Sequence, residues 1–97
     1  MTDLIPTDRS SSVAWSNKAS VWNNQTVQMT GEYGSVNVGT SQVEMRLYQN
    51  GDYISVYFSP SFVDQLNKIK SGSTVTITGQ VVYQDNRVTI NGTAITQ

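Results

Sequence analysis

The stretch Ser41–Ser59, "SQVEMRLYQNGDYISVYFS", limits the possible folds more than any other part of the chain. Asn50-Gly51 sits between two alternating apolar runs, and both residues tolerate the positive φ that a two-residue type I′ turn requires. Such a turn dictates the register, which can be checked against the hydrophobic pattern. Gln49 then faces Asp52, Tyr48 faces Tyr53, Leu47 faces Ile54, Arg46 faces Ser55, Met45 faces Val56, Glu44 faces Tyr57 and Val43 faces Phe58. Every apolar residue meets an apolar partner on one side, and the other side collects Glu44, Arg46, Tyr48, Tyr53, Ser55 and Tyr57. A slip of one residue would mix the two sets, so pattern and turn chemistry specify the same hairpin.

The rest of the chain reads around this hairpin. Upstream, "TVQMTGEYGSV" alternates, with Val27, Met29, Gly31 and Tyr33 on one face, and its glycines predict a bend or bulge. Downstream, "SPSFVDQLNKIKSG" places Phe62, Leu66 and Ile69 at helical spacing. Ser59 or Ser61 is available as a cap, Pro60 falls at the first helical position and Gly72 lies past the end, which predicts a helix of about ten residues. "GSTVTITGQVVYQDNRVTINGTAI" forms a second hairpin around Asp85-Asn86 that pairs Tyr83 with Val88 and Val81 with Ile90, with a bulge near Gly92 needed to bring Ile95 back in phase. Before the first strand, Trp15, Ala19 and Trp22 recur at i, i+4 and i+7 and predict a helix over residues 10–23, capped by Asp8 or Ser10. Residues 1–9 show no periodicity and are expected to form a flexible arm.

Strand, strand, strand, helix, strand, strand is the order of a mainly β, five-stranded Greek-key barrel, the oligonucleotide/oligosaccharide-binding or OB-fold. The expected layout is therefore one domain over residues 10–97, with the N-terminal helix at 10–23 and the barrel at 25–97. An SH3-like barrel lacks a full helix at the third connection, and a β-sandwich needs about seven strands.

"IKSGSTVTITGQVV" resembles the approach to the fourth strand in bacterial OB-fold proteins, including single-stranded DNA-binding and primosomal proteins, where a glycine turn precedes a V-x-I/V-x-G strand. "NKASVWNNQTVQMTGEYGSV" together with "LNKIKSGSTVTITG" is similar to the tRNA-anticodon-binding-like OB family. The shared features are barrel glycines and alternating aliphatics. These features specify the fold far better than the ligand; the function expected of such a barrel, given its exposed tyrosines and basic residues, is binding of single-stranded DNA, with RNA second, with little sequence preference. A compact product of this kind fits a phage or plasmid replication system.

The residue inventory narrows the chemistry. The chain has no cysteine and no histidine, which removes thiolate nucleophiles, disulfides, cysteine-based metal sites and the commonest general base. No pair of carboxylates is spaced to share a metal, and Gly31-Glu32-Tyr33-Gly34 lacks the Lys-Ser/Thr pair of a phosphate loop. No catalytic residue, metal or cofactor is expected. An OB-fold binds along the exposed face of strands two and three, where Tyr48, Tyr53 and Tyr57 are available for base stacking and Arg46 for a phosphate or cation–π contact. Lys68, Lys70 and Arg87 are the further phosphate candidates.

Each of these features has a plainer reading. Cross-strand tyrosines also stabilise sheets, the lysines also suit a helix C-terminus, and Trp15 and Trp22 also suit a barrel plug. From Gln25 onward Arg46, Lys68, Lys70 and Arg87 stand against Glu32, Glu44, Asp52, Asp64 and Asp85, so no basic stripe runs along the barrel. The alternative function is accordingly a non-catalytic protein-interaction or assembly module, in which the tyrosine face and the Trp helix dock a protein partner or form a homo-oligomer. The opening "MTDLIPTDRSSSV" has neither the basic nor the apolar region of a signal peptide, and the chain is expected to be soluble and cytoplasmic, in a host cytoplasm if phage-encoded, with no membrane partner.

Overall fold

The computed structural model describes residues 4–97. It contains helix α1 (Ser12–Trp22), strands β1 (Thr26–Val38), β2 (Val43–Gln49) and β3 (Asp52–Phe58), a single 3-10 turn at Pro60–Phe62 running into helix α2 (Val63–Asn67), and strands β4 (Thr74–Tyr83) and β5 (Val88–Thr96). The strands close into a barrel in the order β1-β2-β3-β5-β4. Neighbours are antiparallel except β3 and β5, which run parallel over Ser55–Tyr57 and Thr89–Asn91. This is the Greek-key order of an OB-fold.

Both hairpins take the register that their turns specify. Asn50 and Gly51 have φ of 54° and 81°, Asp85 and Asn86 of 52° and 55°. The β2–β3 pairs run from Gln49↔Asp52 to Val43↔Phe58. In the second hairpin Tyr83 pairs with Val88 and Val81 with Ile90. Gly79 then faces Gly92 while Thr78 faces Ala94, so Thr93 is the extra residue of the expected bulge.

β1 belongs to both halves of the barrel. Thr26–Glu32 pairs with β4 and Glu32–Val38 with β2. Between Tyr33↔Leu47 and Val36↔Met45 the strand advances three residues against two, and this bulge supplies the bend. The core lies inside the barrel: Val43, Met45, Leu47, Val56, Ile77, Val81, Ile90 and Leu66 are each 0% exposed.

The two helices are shorter than their sequence patterns suggest. α1 starts at Ser12, capped by Ser11, whose Oγ accepts a 3.1 Å hydrogen bond from the Ala14 N–H. Neither Asp8 nor Ser10 caps it, because the Asp8 carboxylate accepts bonds from the Ser10 N–H and hydroxyl one turn earlier. α2 has five residues after the 3-10 turn. Ser59 makes no capping bond and pairs with the Ser61 hydroxyl instead. At the other end the buried Tyr33 hydroxyl donates to the Leu66 carbonyl at 2.7 Å and the Gly72 N–H donates to the Tyr33 carbonyl. These tertiary bonds stop the helix and turn the chain so that Thr74 can pair with Glu32. Of the expected stripe, Leu66 is the plug, and Phe62 and Ile69 pack against the core only in part.

Of residues 1–9, expected to form a flexible arm, residues 1–3 lie outside the described residues; within 4–9, Leu4 is 4% exposed and its carbonyl accepts a 2.5 Å bond from the Tyr83 hydroxyl. Arg9 forms an ion pair with Asp52 at the start of β3.

Candidate functional site

The outward face of the β2–β3 hairpin holds a row of Glu44, Arg46 and Tyr48 on β2 against Tyr57, Ser55 and Tyr53 on β3. The Arg46 guanidinium carbon lies 4.7 Å from the centre of the Tyr53 ring, a cation–π contact. Tyr48 and Tyr53 have ring centres 5.5 Å apart and planes tilted by 44°. The two rings are used differently. Tyr48 is half-buried over the β1 bulge, where a Cβ on Gly34 would come within 2.3 Å of its ring. Tyr53 is 42% exposed and presents its ring to solvent.

Tyr57 lies further along β3, four residues and about 13 Å from Tyr53. It borders three adjoining hollows. One, of about 480 Å³, lies between β3, the N-terminal segment and the β4–β5 turn, and its walls include Arg9, Trp15, Tyr53 and Arg87. The second, of about 370 Å³, continues past Arg87 toward Gln84 and Asp85. The third, of about 340 Å³, lies under the β1–β2 loop beside Glu44. Together they form a trough across the barrel with Tyr57 at its middle.

The trough is electrostatically balanced. Arg9 and Arg87 face Glu44 and Asp52 across the first hollow, and Arg9 is already paired with Asp52. Glu44 accepts a 2.6 Å bond from the Ser55 hydroxyl and a 3.2 Å bond from the Asn37 amide. The Ser55 bond first, then the Asn37 bond, with a smaller contribution from the nearby Arg46 charge, hold its carboxyl below the usual glutamate range and keep it ionised.

The structure therefore brings Arg46, Tyr48 and Tyr53 into one cluster and places Tyr57 and Arg87 in the trough beside it. It does not bring Lys68 and Lys70 there. They lie on the segment that leads from α2 into β4, whereas Arg87 follows the opposite end of that strand, about 30 Å away for ten extended residues. Trp15 is 8% exposed and meets Tyr83 edge-on at 6.3 Å, so it packs as a plug while one edge lines the trough. Sequence reading missed Arg9, which reaches the site only because the N-terminal segment crosses the barrel. Its backbone carbonyl accepts a 2.8 Å bond from the Trp15 indole. The Asn86 amide donates to the Ser12 hydroxyl and ties the β4–β5 turn to α1. Among the described residues no three potential metal ligands cluster, and no helix is long and apolar enough to cross a membrane.

No known family model matches the sequence, and no curated protein matches it. Many solved structures share the fold. An asparaginyl-tRNA synthetase from Pyrococcus horikoshii, complexed with asparaginyl-adenylate, superposes with a TM-score of 0.66 at 8% identity, covering 76% of this chain and 19% of that one. The S. pombe Stn1–Ten1 complex gives 0.65 at 13% identity, covering 73% of this chain and 56% of that one. A replication protein A heterotrimer bound to ssDNA gives 0.61 at 13% identity, covering 72% and 54%. The chain thus spans about a fifth of the synthetase chain and little more than half of the other two. At these identities the likeness establishes the OB-fold and nothing finer.

Proposed function

We propose that this OB-fold barrel binds single-stranded nucleic acid along the trough, with bases stacked on Tyr53 and Tyr57 and phosphates met by Arg87 and Arg9. The observation that carries the reading is that Tyr57 borders all three adjoining hollows, with the exposed Tyr53 four residues away on the same strand and lining the first of them. Unpaired bases stack on such rings for about 1–3 kcal/mol each with little regard to sequence, and a duplex cannot offer its base faces in this way. The fold shared with a replication protein A heterotrimer bound to ssDNA supports the choice of ligand class.

Electrostatics play a small part in this binding. With Arg87 and Arg9 as the phosphate contacts and two carboxylates opposing them, the slope of log K against log salt is no steeper than about −1.4, from about −0.7 per neutralised phosphate. Arg46 contributes mainly by holding the Tyr53 ring, and Lys68 and Lys70 add only distant attraction. The test is an anisotropy titration with a labelled mixed-sequence DNA strand of about 12 nucleotides, within the usual range of one OB-fold, repeated with the matching RNA. Saturable binding with this shallow salt response, resistant to duplex competitor, is the expected result. No binding by either strand at tens of micromolar protein rejects the reading.

An assembly-module reading rests on a different observation: Val13 and Val21 of α1 are 70% and 61% exposed. Sedimentation of the protein alone across a concentration series decides it, since self-association through apolar residues would persist at high salt.

A further inference from the structure

Glu44 stands directly across from Tyr57 in the β2–β3 register, where opposed Cβ atoms are about 5 Å apart. Both side chains border the first and third hollows. A base lying on the Tyr57 ring therefore has the Glu44 carboxylate at its edge. A carboxylate has about four acceptor positions. Asn37 uses one on Oε1 and Ser55 one on Oε2, which fixes the orientation of the group and leaves one free position on each oxygen. The other carboxylate of this hollow is committed: Asp52 pairs with Arg9 through one oxygen and accepts from the Tyr53 N–H through the other.

We propose, on the basis of the nucleic-acid reading above, that Glu44 reads the Watson–Crick edge of the base stacked on Tyr57 and selects guanine at that one position of the strand. Guanine places two donors side by side on that edge, N1–H and the N2 amino group, which match the two free acceptor positions of an oriented carboxylate. Cytosine and adenine offer one amino donor next to an acceptor nitrogen. Thymine and uracil offer N3–H between two carbonyl oxygens, which the carboxylate repels. Unstacked bases are commonly read on this edge while stacked on aromatic rings, and one good bidentate contact discriminates by roughly tenfold or more. The rest of the trough stays tolerant of sequence, so the preference belongs to a single nucleotide. The same carboxylate has a purely structural use as the brace between β1 and β3, and the test must separate the two.

The experiment compares three 12-nucleotide strands on the wild-type protein: oligothymidylate, the same strand with one central guanine, and the same strand with inosine at that position, which lacks the N2 amino group. The expected order is guanine tightest by about tenfold over thymidine, with inosine between. Glu44→Gln is then expected to lose the guanine advantage and favour a central adenine, because an amide pairs one donor and one acceptor with that edge. A merely structural role would weaken all strands equally. Equal affinity for the guanine and thymidine strands overturns the inference while leaving single-strand binding in place. So does a guanine advantage that survives in Glu44→Gln. Failure of every strand to bind overturns both this inference and the function on which it rests. The inosine comparison needs no substitution and holds even if the variant folds poorly.

Discussion

The two faces of the β2–β3 hairpin alternate residue by residue along the same strands, yet they answer to different physics. Val43, Met45, Leu47, Ile54, Val56 and Phe58 turn inward and are 0 or 1% exposed. Each is held by contacts on all sides, so a change of shape leaves a cavity or a clash. Glu44, Arg46, Tyr48, Tyr53, Ser55 and Tyr57 turn outward, and all but Tyr57 are held by pairwise contacts, a guanidinium on a ring, ring on ring or a hydroxyl on a carboxylate. Losing one such contact costs little folding energy but changes what the face can hold. The inner face thus sets whether the barrel forms, and the outer face sets what it recognises.

Substitutions that cross this divide sharpen or break the distinction. Phe58→Ala on the inner face, which also removes the 4.9 Å ring contact with Phe62, is expected to cost about 3–5 kcal/mol in chemical denaturation. Its neighbour Tyr57→Ala should cost less than about 1 kcal/mol in the same assay but weaken single-strand binding by roughly 5- to 150-fold, the equivalent of one stacked base. If Tyr57→Ala instead destabilises as much as Phe58→Ala, the division between the faces is wrong.

Tyr48 tests the boundary. Gly34→Ala places a methyl group within 2.3 Å of its ring and 2.9 Å of the Arg46 carbonyl. Loss of about 1–3 kcal/mol is expected, with the Tyr48 and Tyr53 ring resonances shifting together in an NMR spectrum. An unchanged spectrum would show that Tyr48 does not seal the bulge.

A smaller effect concerns the N-terminal segment. Tyr83→Phe removes the hydroxyl that donates to the Leu4 carbonyl and should cost about 1 kcal/mol. Burial pushes the Tyr83 hydroxyl up to about 12 from an ordinary value near 10. The unfolded chain therefore releases this proton first, so the contribution is complete below pH 10 and declines as pH rises toward 12. Denaturation midpoints of wild type and Tyr83→Phe measured between pH 9 and pH 12 should converge and then cross, the wild type becoming the less stable before pH 12. Arg9→Ala is expected to have the smallest effect on stability, under about 1 kcal/mol, because its ion pair with Asp52 is largely open to solvent. A larger loss in a thermal melt would show that the pair anchors the segment.

The hairpin registers, the inward set and the order of elements were legible in the sequence, because turn residues and period-two patterning are local properties that agree only in one alignment. Asn50-Gly51 and the bulge near Gly92 are of this kind, and the Tyr48, Tyr53 and Tyr57 face followed from the first. Tertiary structure decided the rest. The length of α2 was set by the Tyr33 hydroxyl and the Gly72 turn, contacts that join residues more than thirty positions apart. Barrel closure brought Arg9 to Asp52 and Trp15 to Tyr83. It also ranked three tyrosines of equal standing in the sequence, covering the β1 bulge with Tyr48, exposing Tyr53 and centring the trough on Tyr57. Which residues alternate is written along one strand, but which hollow a side chain borders depends on three or four segments meeting, and no local pattern carries that information.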